Sequence, residues 1–89
     1  MAFTKESIEA EIKAKVVEIA AQTGDDASEL EPDDIIPATG LIDSTGLLEL
    51  IAWYEEHYEI ALAQDEINVD NLGSLIRMAE FVLRKKGML

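Results

Sequence analysis

Apolar residues recur at the spacing of an α-helix in three segments of this chain, residues 4–22, 44–59 and 71–86, and nowhere alternate for long as in a β-strand. Each segment can therefore bury one face of a helix against the other two. We predict an all-α fold, a small antiparallel-type bundle without a sheet. In chain order, the predicted buried stripes are Ile8, Ile12, Val16 and Ile19; Leu47, Leu50, Ile51, Tyr54 and Tyr58; and Leu72, Leu75, Ile76, Ala79, Val82 and Leu83.

A segment rich in helix breakers separates the first two helices. Residues 24–43 contain two glycines, two prolines and several aspartates, which favour turns. We predict a long loop here, which is unusual in a compact domain and often functional. Between the last two helices, residues 65–70 are predicted to form a short fourth helix of one turn. Apolar side chains should pin the long loop to the core: Leu30, Ile35, Ile36, Leu41 and Ile42.

Candidate capping residues mark the predicted helix starts. Thr4 precedes the first helix, Ser44 lies where the second should begin, and Asn71 precedes the third. Each has a side-chain oxygen that can accept a hydrogen bond from a free backbone N–H. Ser is a common capping residue, so a capping role alone would account for Ser44. Gly24 lies just beyond the predicted end of the first helix and is typical of a helix stop.

The composition excludes several classes of protein. With 89 residues, the chain is expected to form a single domain over residues 1–89. The absence of Cys rules out a disulfide scaffold, a thiolate metal site and a cysteine nucleophile, and a single His argues against a histidine-rich metal site. A net charge of −12 argues against nucleic-acid binding, and no apolar run approaches the ~20 residues of a membrane span. With no signal peptide visible, we expect a cytoplasmic protein without membrane insertion.

Acidic residues are concentrated in the middle of the chain. Between Val16 and Ile76 there is no Lys or Arg, and this stretch holds 15 of the 19 acids. One interpretation is a solvated surface kept soluble by repulsion between like charges. The other is a docking face for basic partners, since such a field speeds association and makes it sensitive to salt. Charge alone leaves both interpretations open.

The junction of the long loop and the second helix reads Gly40-Leu41-Ile42-Asp43-Ser44-Thr45-Gly46-Leu47-Leu48-Glu49-Leu50. Asp43-Ser44, followed at this spacing by Glu49-Leu50, resembles the Asp-Ser-Leu-x-x-x-Glu-Leu pattern of the acyl carrier protein family. Residues 54–60 are similar to the acidic, aromatic-ended second helix of that family, and residues 71–75 to the start of its last helix. The resemblance covers essentially the whole chain and implies the four-helix bundle of the family, with a long loop between helices 1 and 2.

The resemblance implies a phosphopantetheine arm, donated by coenzyme A and attached through the Ser44 hydroxyl. Its terminal thiol would hold an acyl or aminoacyl group as a thioester, and its phosphodiester would lie beside the positive end of the helix. In the family, the residue corresponding to Asp43 helps the modifying enzyme to organise a metal ion, although Asp43 could also stabilise the helix start. The implied partners are a phosphopantetheinyl transferase, an acyl- or amino-acid-activating ligase, and a downstream acyltransferase or synthase.

Two residues depart from the family pattern. Thr45 replaces the usual Leu after the serine, which argues against the usual fatty-acid synthase partners. Gly46 lies in the first helical turn, where glycine costs up to ~1 kcal/mol relative to alanine. By resemblance, the side of the second helix away from the core would bind partner enzymes, with Leu48 as an apolar anchor among carboxylates. The candidate partner-binding residues are Thr45, Leu48, Glu49, Ala52, Glu55, Glu56 and Glu59.

Aromatic residues in the second helix add bulk where a fatty-acid carrier has smaller aliphatic groups. Tyr54 is expected in the core, with Trp53 at its edge and Tyr58 further along the same stripe. We therefore hypothesise a tight interior and a short or polar cargo, such as an amino acid, that is held outside the bundle.

A hydrolase triad of Ser44, His57 and Asp43 fits the sequence poorly. A nucleophile elbow has Gly two residues before the serine, where this chain has Ile42. His57 lies several turns along the same helix and is expected at the surface near the helix end. No second catalytic group is visible, so the chain is expected to be a substrate and shuttle for enzymes rather than an enzyme.

A calcium-binding EF-hand over residues 25–36 is also a poor fit, because Leu30 and Ile36 occupy the positions of its Gly and Glu. The alternative to a carrier that the sequence leaves open is an unmodified acidic helical adaptor that binds a basic partner protein. Its charge pattern would be the same. The two functions differ at Ser44, since a carrier needs the hydroxyl and an adaptor should tolerate Ala there.

Overall fold

The computed structural model describes residues 4–87, and these residues form helices and loops without a strand. This confirms the predicted all-α class and the three long helices in their predicted order. None of the helices in residues 4–87 is long and apolar enough to cross a membrane. The helices are α1 (Lys5–Gln22), α2 (Ile36–Thr39), α3 (Ser44–Tyr58), α4 (Val69–Leu72) and α5 (Leu75–Lys85), with a 3-10 turn at Gln64–Glu66.

Helix α1 is the element against which both other long helices pack. It begins as predicted at Thr4, whose hydroxyl accepts a hydrogen bond from the Ser7 N–H at 3.1 Å, while the Ser7 hydroxyl accepts one from the Thr4 N–H at 3.2 Å. This reciprocal arrangement satisfies two N–H groups that would otherwise lack partners. The predicted stripe is confirmed, since Ile8, Ile12, Val16 and Ile19 are all buried.

The long loop is tied to the rest of the fold by backbone hydrogen bonds as well as by apolar side chains. The Ile36 N–H donates to the Gly73 carbonyl at 2.8 Å, and the Ile76 N–H donates to the Pro32 carbonyl at 3.1 Å. These bonds join the loop to the junction between α4 and α5. Of the five predicted anchors, Leu30, Ile36 and Ile42 are buried and Leu41 is half-buried, but Ile35 is 44% exposed.

The last predicted helix is two helices in the structure. Asn68 caps α4, and its Oδ1 accepts a hydrogen bond from the Asn71 N–H at 2.9 Å. Ser74 caps α5, and its Oγ accepts a hydrogen bond from the Arg77 N–H at 3.2 Å. The prediction that Asn71 is the cap was therefore wrong, because Asn71 lies inside α4. The buried stripe of α5 also includes two residues that the sequence analysis left out, Met78 and Phe81, whereas Leu72 and Ile76 are only half-buried.

Candidate functional site

Asp43, and not Ser44, caps α3. The Asp43 backbone is extended, and its Oδ1 accepts a hydrogen bond from the Gly46 N–H at 2.8 Å. Its carbonyl accepts the first helical bond, from the Leu47 N–H at 2.9 Å. The predicted capping role of Ser44 was therefore wrong, because the carboxylate one residue earlier already satisfies the N–H that a cap would bind. Ser44 is the first residue inside the helix.

Ser44 is exposed, and its hydroxyl has no hydrogen-bond partner among residues 4–87. Within the same range, the N–H groups of Ser44 and Thr45 also lack a partner, as expected for the first residues of a helix. The helix dipole places partial positive charge at these groups. An anionic group on the Ser44 oxygen would therefore lie beside two free donors at the positive end of α3.

Gly46 explains how the start of α3 fits against α1. It is buried, and a Cβ at this position would lie 3.0 Å from Ile19 Cγ2 and 3.2 Å from Ile42 Cβ. Such distances are shorter than ordinary contacts between carbon atoms. The glycine that costs helix propensity in the first turn therefore allows α3 to approach α1 closely. Spacing along the sequence could not reveal this contact, because Ile19 comes from another helix.

The first two turns of α3 separate two surface depressions. On the α1 side, a cleft of about 110 Å³ is lined by Thr45, Gly46 and Glu49 from α3 and by residues of α1, and Gln22 Nε2 lies 3.5 Å from Glu49 Oε2 across it. On the other side, a mainly apolar groove of about 200 Å³ is lined by Pro37, Leu47, Ile51, Ile67, Asn68, Val69, Leu72 and Gly73. Its position around the axis of α3 places Ser44 between the cleft and the groove.

The outward face of α3 contains most of the residues that the sequence predicts to bind partners. Leu48 is 68% exposed, which is the largest exposure among the big apolar side chains of residues 4–87. Glu55 differs from the rest, because it is half-buried and its Oε2 accepts a hydrogen bond from the Leu62 N–H at 3.4 Å. The exposed members of the set are Thr45, Leu48, Glu49, Ala52, Glu56 and Glu59.

The far end of α3 is fixed to α1 through Glu11. The Tyr58 hydroxyl donates to Glu11 Oε1 at 2.7 Å, and His57 Nε2 lies 3.3 Å from the same oxygen. The His57 ring stacks on Trp53 with centroids 4.7 Å apart. Glu11 was not among the residues predicted from the sequence, where its position one residue before the buried Ile12 was the only signal. His57 is thirteen residues from Ser44, about 20 Å along one helix, so the structure does not bring them together.

The interior beside this end is filled by aromatic side chains. Tyr54 is fully buried, and its hydroxyl donates to the Met78 carbonyl at 2.7 Å. Burial raises the pKa of Tyr54 and of Tyr58 above the ordinary value for tyrosine, because a buried phenolate would lose its hydration. Trp53 is half-buried against the core, as predicted.

The described part of the chain has no group of three or more His, Cys, Asp or Glu residues placed to hold a metal ion. We found no protein-family model, no curated protein and no solved structure that matches the chain. The site is therefore interpreted from its own geometry and from the motif around Ser44.

Proposed function

We propose that this chain is an acyl or aminoacyl carrier protein that holds its cargo as a thioester on a phosphopantetheine arm attached to Ser44. The principal supporting observation is the exposed Ser44 hydroxyl, which has no partner among residues 4–87 and follows the Asp43 cap at the positive end of α3. The phosphodiester would be stabilised there by the free N–H groups of Ser44 and Thr45. Under this proposal, the helices and the long loop form the four-helix arrangement of the acyl carrier family.

Partner enzymes would dock on the outward face of α3. Leu48 offers an exposed apolar contact, and Glu49 and Glu56 offer exposed carboxylates on the same outward face. An exposed ion pair contributes only ~0.2–1 kcal/mol, so several together steer encounter more than they raise affinity. Weak docking suits a shuttle that must leave each partner: the phosphopantetheinyl transferase, the activating ligase and the downstream acyltransferase or synthase.

Intact-protein mass spectrometry tests the attachment. The chain would be incubated with coenzyme A and a broad-specificity phosphopantetheinyl transferase, beside Ser44→Ala and the matched exposed-serine variant Ser28→Ala. A single phosphopantetheinyl mass gain on the native chain and on Ser28→Ala, with none on Ser44→Ala, is expected. No gain on a folded native chain would contradict the proposal.

The two roles of Asp43 can be separated in the same experiment. Asn caps a helix about as well as Asp but has no charge. If the carboxylate helps the transferase to organise a metal ion, Asp43→Asn should fold normally and be modified slowly. If Asp43 is only a cap, Asp43→Asn should be modified at the native rate.

The second candidate function is an unmodified acidic adaptor, and the exposure of Leu48 among carboxylates also supports it. Such a protein would bind a basic partner through the same face of α3. Binding of that partner would then be unchanged in Ser44→Ala and weakened in Leu48→Ala.

A further inference from the structure

An apolar groove lies between α3 and the segment that contains α4, on the side of α3 next to Ser44. Its apolar lining comes from α2, α3 and the segment that contains α4: Pro37, Leu47, Ile51, Ile67, Val69 and Leu72. Ile67 is 41% exposed and Val69 is 51% exposed, although both are large apolar side chains. A volume of about 200 Å³ is enough for a group of six or so carbon atoms, since an apolar cavity of ~150 Å³ can hold benzene.

Ser44, the groove residue Ile51 and Glu55 lie on one strip of the α3 surface. Ile51 and Glu55 follow Ser44 by seven and eleven residues, which places both within about 20° of Ser44 around the helix axis. Eleven residues of helix rise about 16 Å, so Glu55 lies that far along the axis from Ser44. A phosphopantetheine arm has ~14 atoms along its length, as many as the backbone of between four and five residues. When extended, it therefore spans about 16 Å.

Glu55 is a half-buried carboxylate without a basic partner among residues 4–87. One oxygen accepts the Leu62 N–H, and the other has no hydrogen bond within that range. Every segment that lines the groove lies between Val16 and Ile76, where the chain has no Lys or Arg. Glu66, which precedes the groove residue Ile67 in the chain, already pairs with Lys85 at 3.0 Å. The end of the strip therefore favours a positive group and disfavours a negative one.

On the basis of the carrier function proposed above, we propose that the arm from Ser44 lies along the groove and that Glu55 binds the protonated amine of an aminoacyl thioester. The methyl and methylene groups of the arm would contact Leu47 and Ile51. The cargo class is then amino acids, in preference to neutral or anionic acyl groups. The cargo stays at the surface, since Tyr54 fills the interior beside α3.

Matched cargoes test this assignment by NMR. Alanyl and propanoyl coenzyme A analogues, with a stable amide in place of the thioester, would be transferred to Ser44; they differ only in the amino group. The unloaded arm should shift the methyl signals of Ile51, Ile67 and Val69 relative to the unmodified chain. The alanyl cargo should in addition shift the Leu62 amide, which reports on Glu55, and the propanoyl cargo should not.

Two variants separate the charge of Glu55 from general acidity. Glu55→Gln keeps an oxygen for the Leu62 N–H but removes the charge, so it should abolish the alanyl-specific shift. Glu56→Gln, one residue further on the outward face, should leave that shift intact. Equal Leu62 shifts with alanyl and propanoyl cargo, or equal effects of the two variants, would overturn the assignment while leaving the carrier function in place. Failure of the arm to attach, seen by mass, would overturn both.

Discussion

Replacing Gly46 by Ala tests how closely α1 and α3 approach each other beside Ser44. In an exposed helix, this change would stabilise by ~0.5–1 kcal/mol through helix propensity. Here the new Cβ would lie 3.0 Å from Ile19 Cγ2 and 3.2 Å from Ile42 Cβ. Extra atoms in a well-packed core cost ~1–3 kcal/mol, which exceeds the propensity gain. We therefore expect Gly46→Ala to lower the free energy of unfolding by ~1 kcal/mol, measured by urea denaturation with circular dichroism.

A double-mutant cycle identifies the contact that causes this loss. Ile19→Ala removes Cγ2 and should cost ~2–5 kcal/mol alone, whereas Ile19→Val keeps Cγ2 and should cost ~0.5–1.5 kcal/mol. Combined with Ile19→Ala, Gly46→Ala should become less destabilising by about 1 kcal/mol, and combined with Ile19→Val it should not change. A gain in stability from Gly46→Ala alone would contradict this expectation, because α1 and α3 would then not approach as closely as the structure shows.

Three further predictions concern the cap, the buried tyrosines and docking. Asp43→Ala should lower the free energy of unfolding by ~1 kcal/mol through loss of the cap, while Asp43→Asn changes it by a few tenths at most in urea denaturation. Because burial raises the pKa of Tyr54 and Tyr58 above 10.0, the ordinary value for tyrosine, the unfolded chain above that pH releases protons that the native state keeps. The two tyrosines should thus leave the free energy of unfolding unchanged below that pH and lower it above that pH, by up to ~1.4 kcal/mol per pH unit for each tyrosine. Tyrosinate absorbance should appear together with loss of helix, and ionisation in the folded state would contradict the expectation. Binding of a partner enzyme to the outward face of α3 should weaken steadily with ionic strength in titration calorimetry, and salt-independent binding would assign the contact to Leu48 instead.

The fold class follows from periodicity, but the helix starts do not. Asp43 and Ser44 are adjacent and have nearly equal capping preference, so propensity cannot choose between them. In the structure, the Asp43 carboxylate reaches the Gly46 N–H and leaves the Ser44 hydroxyl without that role. Further along, Asn68, Asn71 and Ser74 are spaced by three residues, and any of them could begin a helix. The chain uses the first and the third, so the predicted single helix is divided at Gly73.

The short helix in the long loop shows how the same residue can be interpreted in two ways. From the sequence, Pro37 is predicted to break a helix, yet proline is favoured in the first turn of a helix because that turn needs no N–H donor. It lies in the first turn of α2, which ends at Gly40 in the left-handed conformation with φ 72°. The burial of Glu55 and the exposure of Ile35 could not be predicted either, because both depend on which segments of the loop and of α4 pack nearby.

The two ends of α3 are held to α1 in different ways. The contact at the far end should contribute to the stability of the fold, whereas the contact at the near end should also affect how Ser44 is presented to a partner. At the far end, the Tyr58 hydroxyl binds Glu11 at 2.7 Å, and at the near end Gly46 lets the helix backbone lie against Ile19. Neither contact uses the outward face of α3, so that face stays free for transient docking. The contact at Gly46 lies two residues from Ser44, so it, and not the contact at Glu11, fixes the first turn that presents the Ser44 hydroxyl and the free N–H groups beside it. Changes at Glu11 should therefore alter the free energy of unfolding without altering modification of the folded chain, whereas changes at Gly46 should alter both.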